Sequence, residues 1–384
     1  MADGLLICSQ PALKACTGFT LDVVRKLCDD FGLVKDEGRS LAAGLTMMHT
    51  DCSNEQLCVI YKGLFYEEVA VSTLFERVVR VLNKMFEQPM KTRCLERFNM
   101  ADPVLGNITC ILDGTALMVR LQGSEHGFKG KCANFQVFCT LDGELMTYSG
   151  PWTGRLTDIR NYCQDDDAER KKHCPEHLIT SLNFVHYEDE AFSCDGIYKA
   201  SLHCIVPYQT AKTTDAEFSA LTTAQQRTVQ EQQLWNQVVC YRRSRIERRF
   251  GQLDRHRFFH YTLRSIPMTA LLFRAMWNAE LTSREIEGPS SLYSGELWPS
   301  QLVQRHFGAV CTCNFNGMWY AGHPKRAQFD KHRDDLCQAY IAKEGMSTRM
   351  PRPSGHQSMR EKVEQRDEMP LTQIAGVTEP RLFY

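Results

Sequence analysis

The stretch Asn107–Arg120 reads N-I-T-C-I-L-D-G-T-A-L-M-V-R, and the reading of its centre decides what kind of sheet the chain builds. Ile108, Cys110, Ile111 and Leu112 form a short apolar run rich in strand formers. It stops at Asp113-Gly114-Thr115, and a second apolar run, Ala116–Leu121, follows at once. Buried strands read as unbroken apolar runs, and a carboxylate in one is expensive unless a metal or an opposite charge offsets it. Gly114 lets the backbone turn directly after the carboxylate. Asp113 is therefore expected at a strand end, either as a metal ligand on a rigid strand or as the acid that opens a turn.

Two more acids share this setting. Asp195 follows the apolar run Ala191–Cys194 and precedes Gly196, and Glu247 lies beside Ile246 and near Phe250 in an Arg-dense helical stretch. The three lie far apart in the chain, so only a fold could gather them. Two strand-end carboxylates and a third from a packed helix would make an all-oxygen site for hard cations. Two Mg²⁺ or Mn²⁺ ions about 4 Å apart in such a site could activate a water and stabilise the leaving oxygen of a phosphodiester.

Outward from these acids, the chain divides by pattern. Residues 1–100 are expected to be helical. Thr20 caps the segment L-D-V-V-R-K-L-C-D-D-F. Val71, Leu74, Val78, Leu82 and Met85 mark the apolar face of another helix. That helix is either the second of a degenerate helix-turn-helix, with Ser72 or Thr73 near its start, or a plain core helix. Residues 101–287 carry the β signals. Asn134–Thr140 and Leu145–Ser149 are strands around the Asp-Gly turn Leu141–Glu144, and Leu202–Val206 is a short run ending at Pro207. Thr157-Asp158 is placed to cap a short helix through Tyr162, and Gln164–Glu176 reads as a charged excursion. Ala216–Leu253 is the longest helical reading, with a break expected near Gly251, and Thr269–Ala279 is a short amphipathic piece. Residues 288–346 form a C-terminal extension, and the Pro-, Ser- and Gly-rich 347–384 reads as a disordered tail.

Bulk properties narrow the class. The 384 residues suffice for a full core, and a net charge of −1 means that any basic surface is local. The 17 Cys are scattered through apolar segments, which suits buried free thiols in a reducing compartment better than a disulfide framework. The first residues lack a basic start and a long apolar run, so no signal peptide is expected, and no stretch of 18 or more apolar residues appears, so no membrane span is expected. Arg242, Arg243, Arg245, Arg248, Arg249, Arg255 and Arg257, interleaved with Tyr241, Phe258 and Phe259, are candidates for phosphate contact along DNA, the alternative being a solvated helix face with Arg–Glu pairs. Cys311, Cys313, His323, His332 and Cys337 depart from common zinc spacings and read as core thiols and surface histidines. Trp152, between Gly150 and Gly154, is either a base-stacking residue or a loop anchor.

Five segments follow one order: I-L-D-G-T, K-G-K-C-A-N-F-Q-V-F-C-T-L-D-G, G-P-W-T-G-R-L-T-D, C-D-G-I-Y and R-I-E-R-R-F-G-Q-L. That order resembles the Harbinger-type transposase family of DDE nucleases and its domesticated relatives, over roughly residues 107–257. The resemblance implies an α/β, RNase H-like fold: a mixed central sheet flanked by helices, with an acidic triad at one edge. It implies that Asp113, Asp195 and Glu247 are the catalytic metal ligands and that Asp158 assists them. It further implies DNA as substrate, a separate Myb-like partner supplying specificity and nuclear import, and a nuclear location. Ala116 and Thr157 stand where the family usually has histidines that could orient a carboxylate, a water or a phosphate. Their loss motivates a rival expectation, a DNA-binding or scaffold protein that keeps the fold without turnover. A nuclease acting on RNA or hybrids is the third.

Overall fold

Helical spacing of apolar residues organises the first hundred positions. The structure, a computed structural model, describes residues 9–98, 108–118, 132–153, 189–198, 204–208, 215–259, 265–287 and 333–339, with isolated positions 187, 305, 331, 341 and 342. Its N-terminal helices are α1 (Gln10–Thr17), α2 (Leu21–Asp30), α3 (Lys35–Thr50), α4 (Asn54–Phe65) and α5 (Val71–Phe86). Thr20 holds the N-cap position of α2 in extended conformation, although its side chain accepts no capping bond. In α5, Leu74, Val78, Val81, Leu82 and Met85 are buried as the stripe requires. Val71 departs from it: as the first residue of the helix, it is exposed.

Five strands form one mixed sheet. After a 3₁₀ turn at Cys94–Phe98 come β1 (Ile108–Met118), β2 (Cys132–Thr140), β3 (Leu145–Thr153), β4 (Ala191–Ser193) and β5 (Cys204–Ile205), in the spatial order β3-β2-β1-β4-β5. β1, β2 and β3 are antiparallel neighbours, whereas β4 and β5 run parallel to β1. One expectation is overturned here. The backbone does not turn at Gly114; β1 continues through it, pairing Asp113 with Val137 and Gly114 with Gln136. Glycine permits a turn but does not compel one, and an unbroken β2 partner holds the strand straight. The hairpin turn at 141–144 forms as expected, with Gly143 at φ +92°, where a Cβ would meet the Arg245 backbone.

Strand alternation splits the buried side chains into two layers. Ile111, Leu117, Phe135, Val137, Tyr148, Ala191 and Ile205 join the main core with the helices. Cys110, Leu112, Phe138, Met146, Phe192, Cys194 and Cys204 pack on the opposite face. The cysteines described there are free thiols, buried as read from sequence, while Cys240 is exposed.

Helices α6 (Asp215–Ser219), α7 (Thr223–Leu253) and α8 (Ile266–Glu287) follow. The expected long helix breaks before Thr222, whose side chain caps α7, and not at Gly251, which continues the helix. α8 is twice the expected piece: residues 268–282 are buried or nearly so on every side, which erases the amphipathic signal that marks a helix. It packs against α2, α3 and α5 on one side and β3 on the other. Phe273 stacks on Phe135 at 3.8 Å, and Trp277 meets Tyr148 edge-on at 4.8 Å. The expected helix at 157–162, the charged excursion at 164–176, His332, the cysteine and histidine positions from 311 to 323 and the tail from 347 lie outside the described residues. Among the described helices none is long and apolar enough to cross a membrane.

Two polar clusters stitch these layers. Arg97 and Glu190 form a fully buried ion pair (Nε to Oε1 2.5 Å, Nη2 to Oε2 3.1 Å), and the Thr109 hydroxyl donates to the same carboxylate at 2.5 Å. A bulge in β1 between Ile108 and Cys110 aims Thr109 at it. The second cluster joins the helical layer to the end of α7. His49 and His256 share a hydrogen bond at 3.1 Å, one Nδ1–H donating to the other Nδ1, and Glu280 pairs with both His256 and Arg255. Burial, His256 and the Arg255 and Arg257 charges hold His49 below the ordinary imidazole range. Burial alone would raise the Glu280 carboxyl, but the His256 hydrogen bond and the Arg255 charge hold it low.

Two outcomes follow. Glu190→Gln leaves the Arg97 charge buried without its partner and should cost about 3–5 kcal/mol of stability, read by urea unfolding; a loss below about 1 kcal/mol would contradict the role given to the pair. His49, whose folded pKa lies below its unfolded value, binds its proton more readily when unfolded, so stability falls as pH drops through and below about 6.5. His49→Gln should flatten that decline in a series of melts from pH 7.5 to 5.

Candidate functional site

Asp113 sits mid-strand on the face of β1 that carries Ile111 and Leu117, turned toward α7. β1 and β4 are parallel and in register at Ile111 and Ser193, and Asp195, two residues past the end of β4, lies near enough for its charge to act on Asp113. Asp195 leaves β4 through Cys194 and starts the 3₁₀ turn Gly196–Tyr198. Its Oδ1 accepts the Ile197 N–H at 2.8 Å, fixing the carboxylate at the strand end. α7 lies across this end of the sheet. Ile246 is its buried anchor, and the next residue, Glu247, projects with its side chain about half exposed.

One guanidinium joins the group. Arg243 Nη1 donates to Asp113 Oδ2 at 2.9 Å and to Glu247 Oε1 at 3.2 Å. Asp113 Oδ1 accepts the Gly114 N–H at 2.8 Å. Burial pushes the Asp113 carboxyl up to about 7; Arg243 and the Gly114 N–H oppose this, while Glu247 and Asp195 push it further up. Burial works against the Arg243 charge, yet Asp113, Glu247 and Asp195 together hold its pKa above the ordinary value. The asymmetry is physical: the guanidinium has three carboxylates about it, whereas Asp113 has one cation and two anions.

The structure thus places Asp113, mid-strand in β1, Asp195, just past the end of β4, and Glu247, on α7, around a cation expected among the DNA contacts. Asp158 lies outside the described residues. The donors are all hard oxygens, of the kind Mg²⁺ and Mn²⁺ take, and Asp113 is a buried carboxylate on a rigid strand. In kind they fit such ions. Among the described residues, however, no three His, Cys, Asp or Glu side chains are gathered closely enough to hold a metal. Arg243 is the group that stands between them.

The basic run divides into two roles. Arg249 is buried and donates to Gly143 O at 2.9 Å, Glu144 Oε1 at 2.8 Å and Gln252 Oε1 at 2.5 Å. Arg245 donates to Leu141 O at 2.9 Å. Both fasten α7 to the β2–β3 hairpin, which departs from the expectation of phosphate contact: helix periodicity puts positions four apart on one face, and that face meets the hairpin. Arg255 pairs with Glu280 and lies over Phe19. Arg248 and Arg257 are exposed and Arg242 is partly so. Ala116 is partly exposed on β1 opposite Asn134.

The raised Asp113 pKa has a measurable consequence. An unfolded carboxyl ionises near 3.8, so between that value and about 7 the folded chain binds the extra proton, and stability falls as pH rises through this window. Asp113→Asn removes the penalty. Its melting temperature should exceed wild type by roughly 2 °C or more at pH 8 and match it at pH 4; a variant that melts lower at pH 8 would show that ionised Asp113 stabilises the fold.

No protein-family model, curated protein or solved structure matches this chain, so the site's residues and their geometry are the ground for its chemistry.

Proposed function

We propose that the chain is a metal-dependent DNA endonuclease or strand-transfer enzyme of transposon origin, with an RNase H-like fold and a Harbinger-type affiliation. The observation that carries this reading is that three far-separated acids, one on β1, one just past the end of β4 and one on the helix that crosses them, lie about a single guanidinium. A mixed sheet with helices packed on it, and acids at one end, is the arrangement the resemblance leads one to expect.

In this reading Asp113, Asp195 and Glu247 would hold two Mg²⁺ or Mn²⁺ ions once Arg243 has left them, with Asp158 as an assisting ligand. When bound, the ions supply Lewis acidity and lower the pKa of a coordinated water. The chain's own task is positioning. β1 holds Asp113, the turn after β4 holds Asp195, and α7 brings the third carboxylate from an exposed helix face, where it can adjust to the ligand. Arg242, Arg248 and Arg257 would contact the phosphate backbone. With no His at 116 to orient a ligand or water, turnover is expected to be slow, or to depend on a Myb-like partner that supplies sequence specificity and nuclear import. A scaffold that binds DNA without cutting it is the second reading, favoured by the guanidinium seated among the acids.

Supercoiled-plasmid nicking in Mn²⁺ separates the two. Wild type should nick, and Asp113→Asn or Asp195→Asn should lose at least about a hundredfold of that rate. Nicking that survives both changes would remove the acids from the chemistry. Binding of the plasmid with no nicking by any form would favour the scaffold.

A further inference from the structure

Arg243 does more than satisfy a helical pair. Arg–Glu pairs four apart on a helix are common and weak, but this guanidinium also reaches off α7 to a buried strand carboxylate, with Asp195 as a third anion about it. It bridges the strand acid to the helix acid through a single nitrogen, Nη1. A cation ligated by both would need the same oxygen lone pairs, Asp113 Oδ2 and Glu247 Oε1. Two cations cannot share them at these distances, so the guanidinium and a metal are competitors for one place.

Arg243 also has a way out. Its side chain is 25% exposed, whereas that of Asp113 is 12% exposed. Arg242 and Arg248 lie on the same helix within five residues of it, the first partly exposed and the second exposed. A guanidinium is a planar fork that matches phosphate as well as carboxylate, so it can exchange one anion for the other without losing its pairing.

We infer that Arg243 is the resident counter-cation of the acidic site, and that it couples metal binding to nucleic-acid binding by leaving Asp113 and Glu247 for a backbone phosphate. This rests on the nuclease reading and adds a regulatory step to it. Without nucleic acid, the guanidinium neutralises the acids and keeps metal affinity low. When DNA arrives, its phosphate draws the guanidinium outward and frees both carboxylates. The coupling is reciprocal: whatever factor DNA adds to metal affinity, metal adds to DNA affinity. Arg243 is then a positioning residue, acting through the ligands.

The test is calorimetric titration of Mn²⁺ into the full chain, with and without a short duplex oligonucleotide, for wild type, Arg243→Gln, Arg243→Lys and Asp113→Asn. Wild type should bind Mn²⁺ roughly tenfold more tightly when the duplex is present. Arg243→Gln should bind it about tenfold more tightly than wild type without the duplex, and gain little from adding it. Its melting temperature without metal should be lower and should rise more on adding Mn²⁺, since three acids then lack their cation. Arg243→Lys, which keeps the charge but not the fork, should fall between the two; should Arg243→Gln not fold, the lysine variant decides by the same comparison. If wild type binds Mn²⁺ through Asp113, but loss of the guanidinium leaves that affinity unchanged or weaker, the coupling is overturned while the metal site stands. If Asp113→Asn binds Mn²⁺ as well as wild type, or none of the folded forms binds it, the metal site itself is overturned and the coupling with it.

Discussion

The buried pair between Arg97 and Glu190 is the constraint on which the site depends. Glu190 lies one residue before β4, so whatever holds its carboxylate sets where that strand begins. Both oxygens are engaged, by Arg97 from the turn preceding β1 and by Thr109 from β1 itself. Burying two charges in this way adds little net stability compared with an apolar packing of the same volume. Its use here is register. A three-residue strand has too few ladder bonds to fix its own alignment, and sliding β4 by one residue would turn Asp195 to the opposite face.

α7 is fixed at two separated points that serve different ends. Arg245 and Arg249 clamp it to the 141–144 hairpin through backbone carbonyls and Glu144, while Arg243 and Glu247 reach the sheet end where the acids gather. α8 supports the arrangement from behind, its Phe273 and Trp277 packed on β2 and β3 and its outer side against the N-terminal helices. The apolar layer gives stiffness, and the polar contacts decide alignment.

Much of this was legible in the chain. The strand runs and their hairpin follow from the apolar runs and the Asp-Gly turn, and the acids at 113 and 195 stand out because each closes an apolar run. What misled were residues whose local preference yields to tertiary context. Gly114 and Gly251 read as breaks, yet one is held by a paired strand and the other by a continuing helix. α8 was half hidden because burial on all sides leaves no polar face. Arg249 resembled its exposed neighbours because a run of arginines gives no sign of which one meets Glu144. The dual partnership of Arg243 had half a signal, the spacing of four to Glu247; its second partner lies 130 residues away and only the fold supplies it.

The closeness of the clamp to the carboxylate bears on how this chain can vary through descent. Only one residue separates Glu247 from Arg249, and each helical position advances about 100° around the axis. A single insertion or deletion between them would rotate either the acid away from the sheet end or the clamp away from the hairpin, with no intermediate that keeps both. Change in length within this helix is tolerable only on the far side of these anchors, toward the N-terminal turns of α7. Related chains, aligned to this one, should show a gapless block from Arg243 to Arg249 flanked by segments of uneven length.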